Sequence, residues 1–537
     1  MLEGFKMQSK HKILFGSMMA GLLLLAACSG NGGNPASPSA QPSASAQNGN
    51  AQSGKTQDEA PLEIKIMANY TKPELTDSDK KFIEEIEKLN NVKLNFEIPP
   101  ATGYSEQLQL MLASGTYPDV VMFTDTANQS FQNAVKDGLL IPVNEYIENA
   151  EYLQQYTYQA SWDQLKMNQD DNIYGIPRTS VVRNDAYFVR QDWLDKIGFE
   201  VPADFAVTLD EFAYILEQFT KGDPDGNQKN DTYGYGGAYN GNKVLDPIVP
   251  GAFDLTGWQA MEGDEYAYMN PLYDRNGDNF KKALEFSARM YTSGYFDPDS
   301  ATNDYSKQRE RFVKGLTGVF PGFSGHYDRL INDLKQTNAD AELTYLFVKN
   351  ENGEVKGGSL AASSTGLWGF WGITSTAKNP QKIVEVLNSW ISDDMWDKTA
   401  KGYEGVDYVV VGDKKAPTDP PAVVAEVRQS TMRRANDTSF FLTVSLTDEQ
   451  RAKIVPWLEK SIETVVPAKD NAFIPEAAKK PDFMDYTKTW QQTIMQIIMG
   501  EKPVSEFDSL LEGWYKNGGS DYVQQMNDYI AKMESSK

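Results

Sequence analysis

The sequence predicts an α/β fold built on mostly parallel sheets, and three observations predict it. Strand-type and helix-type segments alternate from Leu62 onward. A second alternation begins near Tyr187. About 475 residues follow the amino-terminal leader and spacer, enough for two or three domains. Alternating strands and helices imply a layered α/β protein.

In order, Leu62 to Asn69 alternates as a strand, and Asp79 to Leu89 sets Phe82, Ile86 and Leu89 on one helical face. Asn91 to Ile98 is a strand, Tyr104 to Ala113 a helix, Tyr117 to Phe123 a strand and Ser130 to Lys136 a helix. The second set opens with "AYFVRQDWLDKIG", a strand running into a short helix. In "TLDEFAYILEQFTKG", Thr208 and Glu211 have capping-box spacing, and Phe212, Ile215, Leu216 and Phe219 recur at helical intervals. Lys281 to Tyr291 and Lys307 to Lys314 are helical, "LTGVFPGF" is a buried strand, and "LWGFWGIT" is a strand followed by a helix from Pro380. The last hundred residues are mostly helical, with Trp490 and Ile494 on one face.

The amino terminus has the form of an address. Lys6, Lys10 and Lys12 precede an apolar run from Ile13 to Ala27, which closes in Leu25-Ala26-Ala27-Cys28. A basic start, a short apolar run and small residues before a cut describe a secretory signal, residues 1–27. Leu-Ala-Ala-Cys resembles the bacterial lipobox, in which Cys28 is lipidated; the alternative is an ordinary signal peptide with an incidental cysteine. Cys28 is the sole cysteine, so no intramolecular disulfide is available. Residues 28–60, rich in Ser, Ala, Asn, Gln, Gly and Pro, are expected to form a flexible tether. The formal charge of -24 argues against nucleic acid as a partner.

Several landmarks then fall in order: "YPDVVMF", "DNIYGIPR", "AYFVRQDWLDKIGFEVPADFAVTLDEF", "DPDGNQKNDTYG", "WGFWGITSTAKNPQKIVEVLNSWIS" and "YTKTWQQTIMQIIMGEKPVSEFDSLLEGW". The series resembles the large extracellular solute-binding lipoproteins of ABC importers, and within them the calcium-loop-bearing oligosaccharide-binding group of Firmicutes. The resemblance implies a two-lobed periplasmic-binding-protein-like fold with ligand held in the cleft between lobes. By analogy, residues 61–178 and 371–466 form lobe one, and 179–370 and 467–537 form lobe two. It implies an oligosaccharide ligand, ABC permease subunits as partners, a monomer, and attachment by palmitate and glyceride chains to the extracellular face of the membrane.

The stretch "GDPDGNQKNDTYG" clusters oxygen ligands after a helix. Counted from Asp223, Asp225 and Asn227 fall at positions 3 and 5, Lys229 at 7 and Asp231 at 9. Calcium takes six to eight oxygens, and alternate side chains with a backbone carbonyl at position 7 can surround it. The resemblance carries a structural Ca2+ onto Asp223, Asp225, Asn227, the Lys229 backbone and Asp231. Gln228 stands where an EF-hand has Gly, and Gly234 where it has its bidentate Glu, so a calcium switch is excluded. The other reading is a solvated turn, since Asp, Asn and Gly favour turns. "YDRNGDN", from Tyr273, lacks the fourth acid and reads as a turn.

Sugars present apolar faces to aromatic rings and hydroxyls to polar groups. Trp368 and Trp371 lie near the expected lobe crossing, where alternation puts Trp368 and Phe370 on one face and Trp371 on the other, so one side is core. Trp258 is a candidate platform after a loop-rich stretch. Tyr70 and Asp125 follow strands whose carboxyl ends face the crevice in open α/β sheets, and Arg178 sits near the first crossing.

Only His326 remains outside the leader, which excludes multi-histidine zinc sites. No G-x-S-x-G, HExxH or P-loop is present. No enzyme activity is expected. The rivals are a lipid-anchored glycoside hydrolase, for which two carboxylates suffice, and a receptor for another solute such as a peptide.

Overall fold

The computed structural model describes residues 60–100, 103–166, 171–238, 249–262, 265–358, 365–412, 414–420, 422–442, 446–471 and 473–535. The leader, Cys28 and the tether lie outside the described residues. Ten strands carry the fold: β1 (Leu62–Met67), β2 (Val92–Glu97), β3 (Val120–Phe123), β4 (Ile176–Thr179), β5 (Ala186–Arg190), β6 (Ala206–Val207), β7 (Tyr233–Tyr235), β8 (Thr317–Gly322), β9 (Leu343–Val348) and β10 (Leu367–Ile373). They form two five-stranded sheets, ordered β2-β1-β3-β10-β4 and β6-β9-β5-β8-β7.

Each sheet has one reversed strand. In the first, β10 runs antiparallel to β3 and β4, while β1, β2 and β3 are parallel. In the second, β5 runs antiparallel to β8 and β9, which pair in parallel with β7 and β6. The reason lies in the path of the chain. It leaves the first sheet at the end of β4, crosses through residues 180–185 and enters the second sheet on β5. It returns on β10. A strand that enters a lobe at the shared edge must run away from that edge, against its neighbours. The carboxyl ends of the remaining strands therefore collect at that edge, where open α/β sheets hold their ligands.

Two apolar cores result. Around the first sheet, Phe82, Ile86, Phe131, Phe370, Trp371 and Trp390 are buried together. Around the second, Trp193, Phe219, Trp258, Phe280, Tyr345 and Trp457 form a separate cluster, covered by the terminal helices Pro481–Ile498, Glu506–Trp514 and Ser520–Ser535. A third small cluster of Val181, Phe323, Phe441 and Leu458 sits at the crossing.

Local chemistry sets the helices. Thr76 and Asp79 make a reciprocal capping box on helix Asp77–Asn90, and Thr208 and Glu211 make one on helix Leu209–Lys221, supplying the first turn with acceptors it otherwise lacks. Phe212, Ile215, Leu216 and Phe219 are all buried, as their spacing requires. Leu89, read as part of the apolar face of the first helix, is exposed instead; Phe82, Ile83 and Ile86 make the buried stripe. The expected lobe border at 371 falls inside β10, which belongs wholly to the first sheet. Helix Asp448–Glu463 packs Ile454 and Trp457 into the second core, not the first.

Candidate functional site between the two sheets

The first sheet presents its strand ends as a polar edge. Beyond β1, Tyr70 is buried and its hydroxyl lies 2.7 Å from the Thr431 hydroxyl. Burial pushes the phenol up to about 12, so it stays neutral. Next to it, the Glu426 carboxylate accepts the Thr71 backbone N–H at 2.7 Å and the Thr71 hydroxyl. Beyond β3, Thr124 and Asp125 are exposed. Asp125 Oδ1 accepts from Ala127 N at 2.8 Å, and Asn128 caps helix Gln129–Lys136. A cavity of about 210 Å³ opens here, lined by Asn69, Tyr104, Glu106, Thr124 and Asn128 among others.

Trp368 stands at the start of β10 and is 46% exposed, the most open tryptophan of the described residues. The register of β10 shifts between Leu367 and Phe370. Gly369 has φ 112°, and a Cβ there would meet the Phe123 carbonyl at 2.9 Å. Only glycine fits such a bulge. The bulge breaks the alternation read from the sequence: Trp368 turns outward while Phe370 is fully buried. Two guanidiniums lie over the exposed indole, Arg178 at 4.0 Å and Arg433 at 4.2 Å from the ring centroid, within cation–π range. Arg178 also donates to the carbonyls of Ser430 and, at 3.0 Å, Trp368. Arg433 donates to the Gln429 carbonyl at 3.3 Å and the Ser430 hydroxyl at 3.0 Å. Burial draws the Arg178 guanidinium down to about 10, and burial together with Arg178 draws Arg433 well below its ordinary value; Arg178 remains cationic near neutrality.

Two sequence candidates lie elsewhere. Trp371 is fully buried, its indole N–H donating to the Thr431 carbonyl at 2.8 Å. Trp258 is 2% exposed and packs against Tyr522 of the last helix. Neither offers a ring face to a ligand.

The second sheet contributes residues that spacing did not single out. Phe323 follows β8 and carries the Arg183 guanidinium 3.8 Å over its ring. His326 stacks edge-on to Phe323 at 5.4 Å. Burial, then Arg183, lowers the His326 pKa, yet its side chain still meets solvent. Tyr305, 47% exposed, is similar: burial raises its pKa, with Arg309, Arg329 and Asp185 close enough to act on it. The signal for Phe323 and His326 is the end of β8, the same rule that selects Tyr70 and Asp125; Tyr305 opens helix Tyr305–Val313, ahead of β8, and carries no such signal.

The acidic loop follows helix Leu209–Lys221. The Asn227 amide donates to Asp225 Oδ2 at 2.7 Å and to Asp231 Oδ1 at 3.0 Å. Gln228 N donates to Asp223 Oδ2 at 3.0 Å, while Asp223 Oδ1 is buried without a hydrogen-bond partner. Burial and the neighbouring Asp231 and Asp223 raise the Asp225 pKa. Among the described residues, no three His, Cys, Asp or Glu side chains are gathered closely enough to hold a metal ion. The donor chemistry nevertheless suits a hard cation: an amide N–H2, the positive end of a dipole, lies among carboxylate oxygens, and one carboxylate oxygen has no donor. In "YDRNGDN", Asp274 Oδ1 accepts from Asn276 N at 2.8 Å and Asp278 pairs with Lys282, which makes a turn.

Residues 81–411 match the family model described as "Bacterial extracellular solute-binding protein". The chain belongs to that family. Among solute-binding relatives, the polygalacturonan/rhamnogalacturonan-binding protein YtcQ of Bacillus subtilis (strain 168) is 22% identical over 466 residues, covering 83% of this chain and 87% of its own. Lipoprotein LipO of the same organism is 23% identical over 494 residues, covering 86% and 91%. The EF-hand mutant of the S. pneumoniae ABC-transporter substrate-binding protein FusA, solved with fructo-nystose, superposes with a TM-score of 0.64 at 18% identity over 89% of this chain and all of its own. The fold is thus the two-lobed solute-binding architecture. No described helix is long and apolar enough to cross a membrane.

Proposed function

We propose that this solute-binding protein captures an oligosaccharide between its lobes and delivers it, unaltered, to the permease of an ABC importer. One observation carries the reading: an outward tryptophan, Trp368, with Arg178 and Arg433 over its ring, on a polar strand-end edge. Aromatic faces and fixed hydrogen-bonding groups together are what sugar recognition needs. YtcQ and FusA, both named for or solved with saccharides, support it. Lobe one is proposed to comprise residues 61–179 and 367–435, with Tyr70, Asp125, Arg178 and Trp368 at its edge; lobe two comprises 186–348 and 446–535. Closure is hinge motion about the crossings, and ligand favours it only by binding the closed form better.

The chain is proposed to act as a monomer on the extracellular face, held by lipid on Cys28, as the name of LipO suggests for that relative. The loop is proposed to hold one Ca2+ through Asp223, Asp225, Asn227, Asp231 and the Lys229 carbonyl, where the ion would neutralise mutually repelling carboxylates.

A glycan array probed with the full chain carrying Cys28→Ser tests the reading. Retention of oligosaccharides that are recovered intact, with a smaller radius of gyration in their presence, is the expected result. Cleaved products would instead identify a glycoside hydrolase, and an array with no retained sugar would end the proposal. Palmitate labelling of the unsubstituted chain, lost in Cys28→Ser, checks the anchor.

A further inference from the structure

The chain has twelve arginines, and five of them gather at the crevice. Arg178 and Arg433 flank Trp368 on the first lobe. Arg183 lies on the crossing over Phe323. Arg309 and Arg329 act on Tyr305, and Arg183 and Arg329 on His326, at the second lobe. Arg433 senses both Arg178 and Arg183. The five therefore lie along a seam from one lobe to the other, in a protein of formal charge -24.

Acids accompany part of the seam. Asp185 pairs with Arg183 at 2.9 Å, and Asp333 pairs with Arg309. Glu426 is engaged by Thr71, and Asp328 lies beside His326. Arg178 and Arg329 have no carboxylate within ion-pair distance among the described residues; Glu426 acts on Arg178 from farther off, the Arg178 guanidinium donates to backbone carbonyls alone, and Arg329 is exposed. A neutral sugar gains little from cations that lack an ion-pair partner, because its hydroxyls are served as well by Asn, Gln and backbone groups. A carboxylate gains a great deal, through charge-assisted and bidentate hydrogen bonds that guanidinium alone supplies in fixed geometry. Asp125 and Glu106 on the first lobe's edge would repel such a group, which places it at the arginines, and acids beyond about 8 Å are screened at physiological ionic strength.

We propose that the crevice selects an anionic oligosaccharide, one whose acid groups, carboxylate or sulfate, lie along Arg178, Arg433 and Arg329. The inference rests on the sugar-binding reading above and narrows its substrate class. The lowered pKa values of Arg178 and Arg433 accord with it: an incoming anion restores the stabilisation that burial removed.

The test is titration calorimetry of the full Cys28→Ser chain with three probes: galactotriose, trigalacturonate and a sulfated galactotriose. Trigalacturonate is expected to bind at least tenfold tighter than galactotriose, and more weakly as salt is raised. Tighter binding of the sulfated probe than of both others also supports anion selection and assigns it to sulfate. Arg329→Gln, at an exposed position where folding is little affected, should narrow the acidic-to-neutral ratio about tenfold, and Arg329→Lys should restore part of it. Equal or tighter binding of galactotriose overturns the inference and leaves sugar capture standing. An unchanged ratio in Arg329→Gln also overturns it. Failure of all three probes, together with an empty glycan array, removes both.

Discussion

Two buried arginines of the first lobe stand a few residues' width apart in the fold and are treated differently. Arg428 is 1% exposed and ion-paired. It pairs with Asp407 at 3.0 Å and donates to the Ser78 hydroxyl at 2.8 Å and to the Lys398 and Thr399 carbonyls, each at 2.7 Å. Arg178 is 5% exposed and meets backbone carbonyls and an indole; Glu426 acts on it only from beyond ion-pair distance, and among the described residues it has no ion pair. A buried charge with its counter-ion in place is scaffold: it ties helix Asp77–Asn90 to the segment around Asp407. A buried charge at the crevice without an ion pair is, on the proposed reading, held for the ligand.

The largest effect should come from breaking the scaffold. Arg428→Leu leaves the Asp407 carboxylate buried without its cation, a change that costs about 3–5 kcal/mol in comparable pairs. Urea unfolding monitored by circular dichroism should register that loss. A loss under about 1 kcal/mol would mean that Asp407 takes up a proton or water at little cost, and the contrast between the two arginines would fail.

The acidic loop sharpens the same logic with the opposite sign. Here carboxylates crowd together, and Asp225 holds its proton more tightly than an ordinary carboxyl, through burial and then the neighbouring acids. Its folded pKa lies above the unfolded value, so its contribution is complete at low pH and is lost as pH rises from the ordinary 3.8 through the raised folded value. In chelator, the melting temperature should therefore sag across that window. Calcium at a free concentration a hundredfold above Kd should stabilise by about 2.7 kcal/mol and remove the sag. Identical melting curves with calcium and with chelator would make the loop a turn and nothing more.

What could be read before folding divides along the same lines. Helix Leu209–Lys221 was legible in full because its cap, its stripe and its stop are local. So were the strand ends at Tyr70 and Asp125, which follow from the carboxyl-end rule. Alternation set Trp368 and Trp371 on opposite faces but wrongly paired Trp368 with Phe370, because it assumes an unbroken strand and the bulge at Gly369 depends on how closely the Phe123 carbonyl approaches. Trp258 looked free because nothing nearby covers it; the cover is Tyr522, on the last helix. Arg433 and Arg329 carried no signal of their own. Their meaning comes from Arg178, to which the crossing chain brings Arg433, and from Tyr305, to which the packing of helix Tyr305–Val313 on helix Tyr327–Thr337 brings Arg329.

The smallest stability change, and the sharpest test of the contrast, belongs to Arg178→Leu. The substitution removes hydrogen bonds to Ser430 and Trp368, but it also removes a cation that burial disfavours. The two contributions oppose, so the net loss should be about 1–2 kcal/mol, well short of Arg428→Leu. Ligand affinity should fall at least tenfold in the same variant, because Trp368 loses its support and the crevice loses a charge. Arg428→Leu, measured below its unfolding transition, should retain most of its affinity. Stability losses of equal size in the two variants, or an affinity loss in Arg428→Leu that matches that of Arg178→Leu, would place both arginines in the scaffold and leave Trp368 without an electrostatic role in binding.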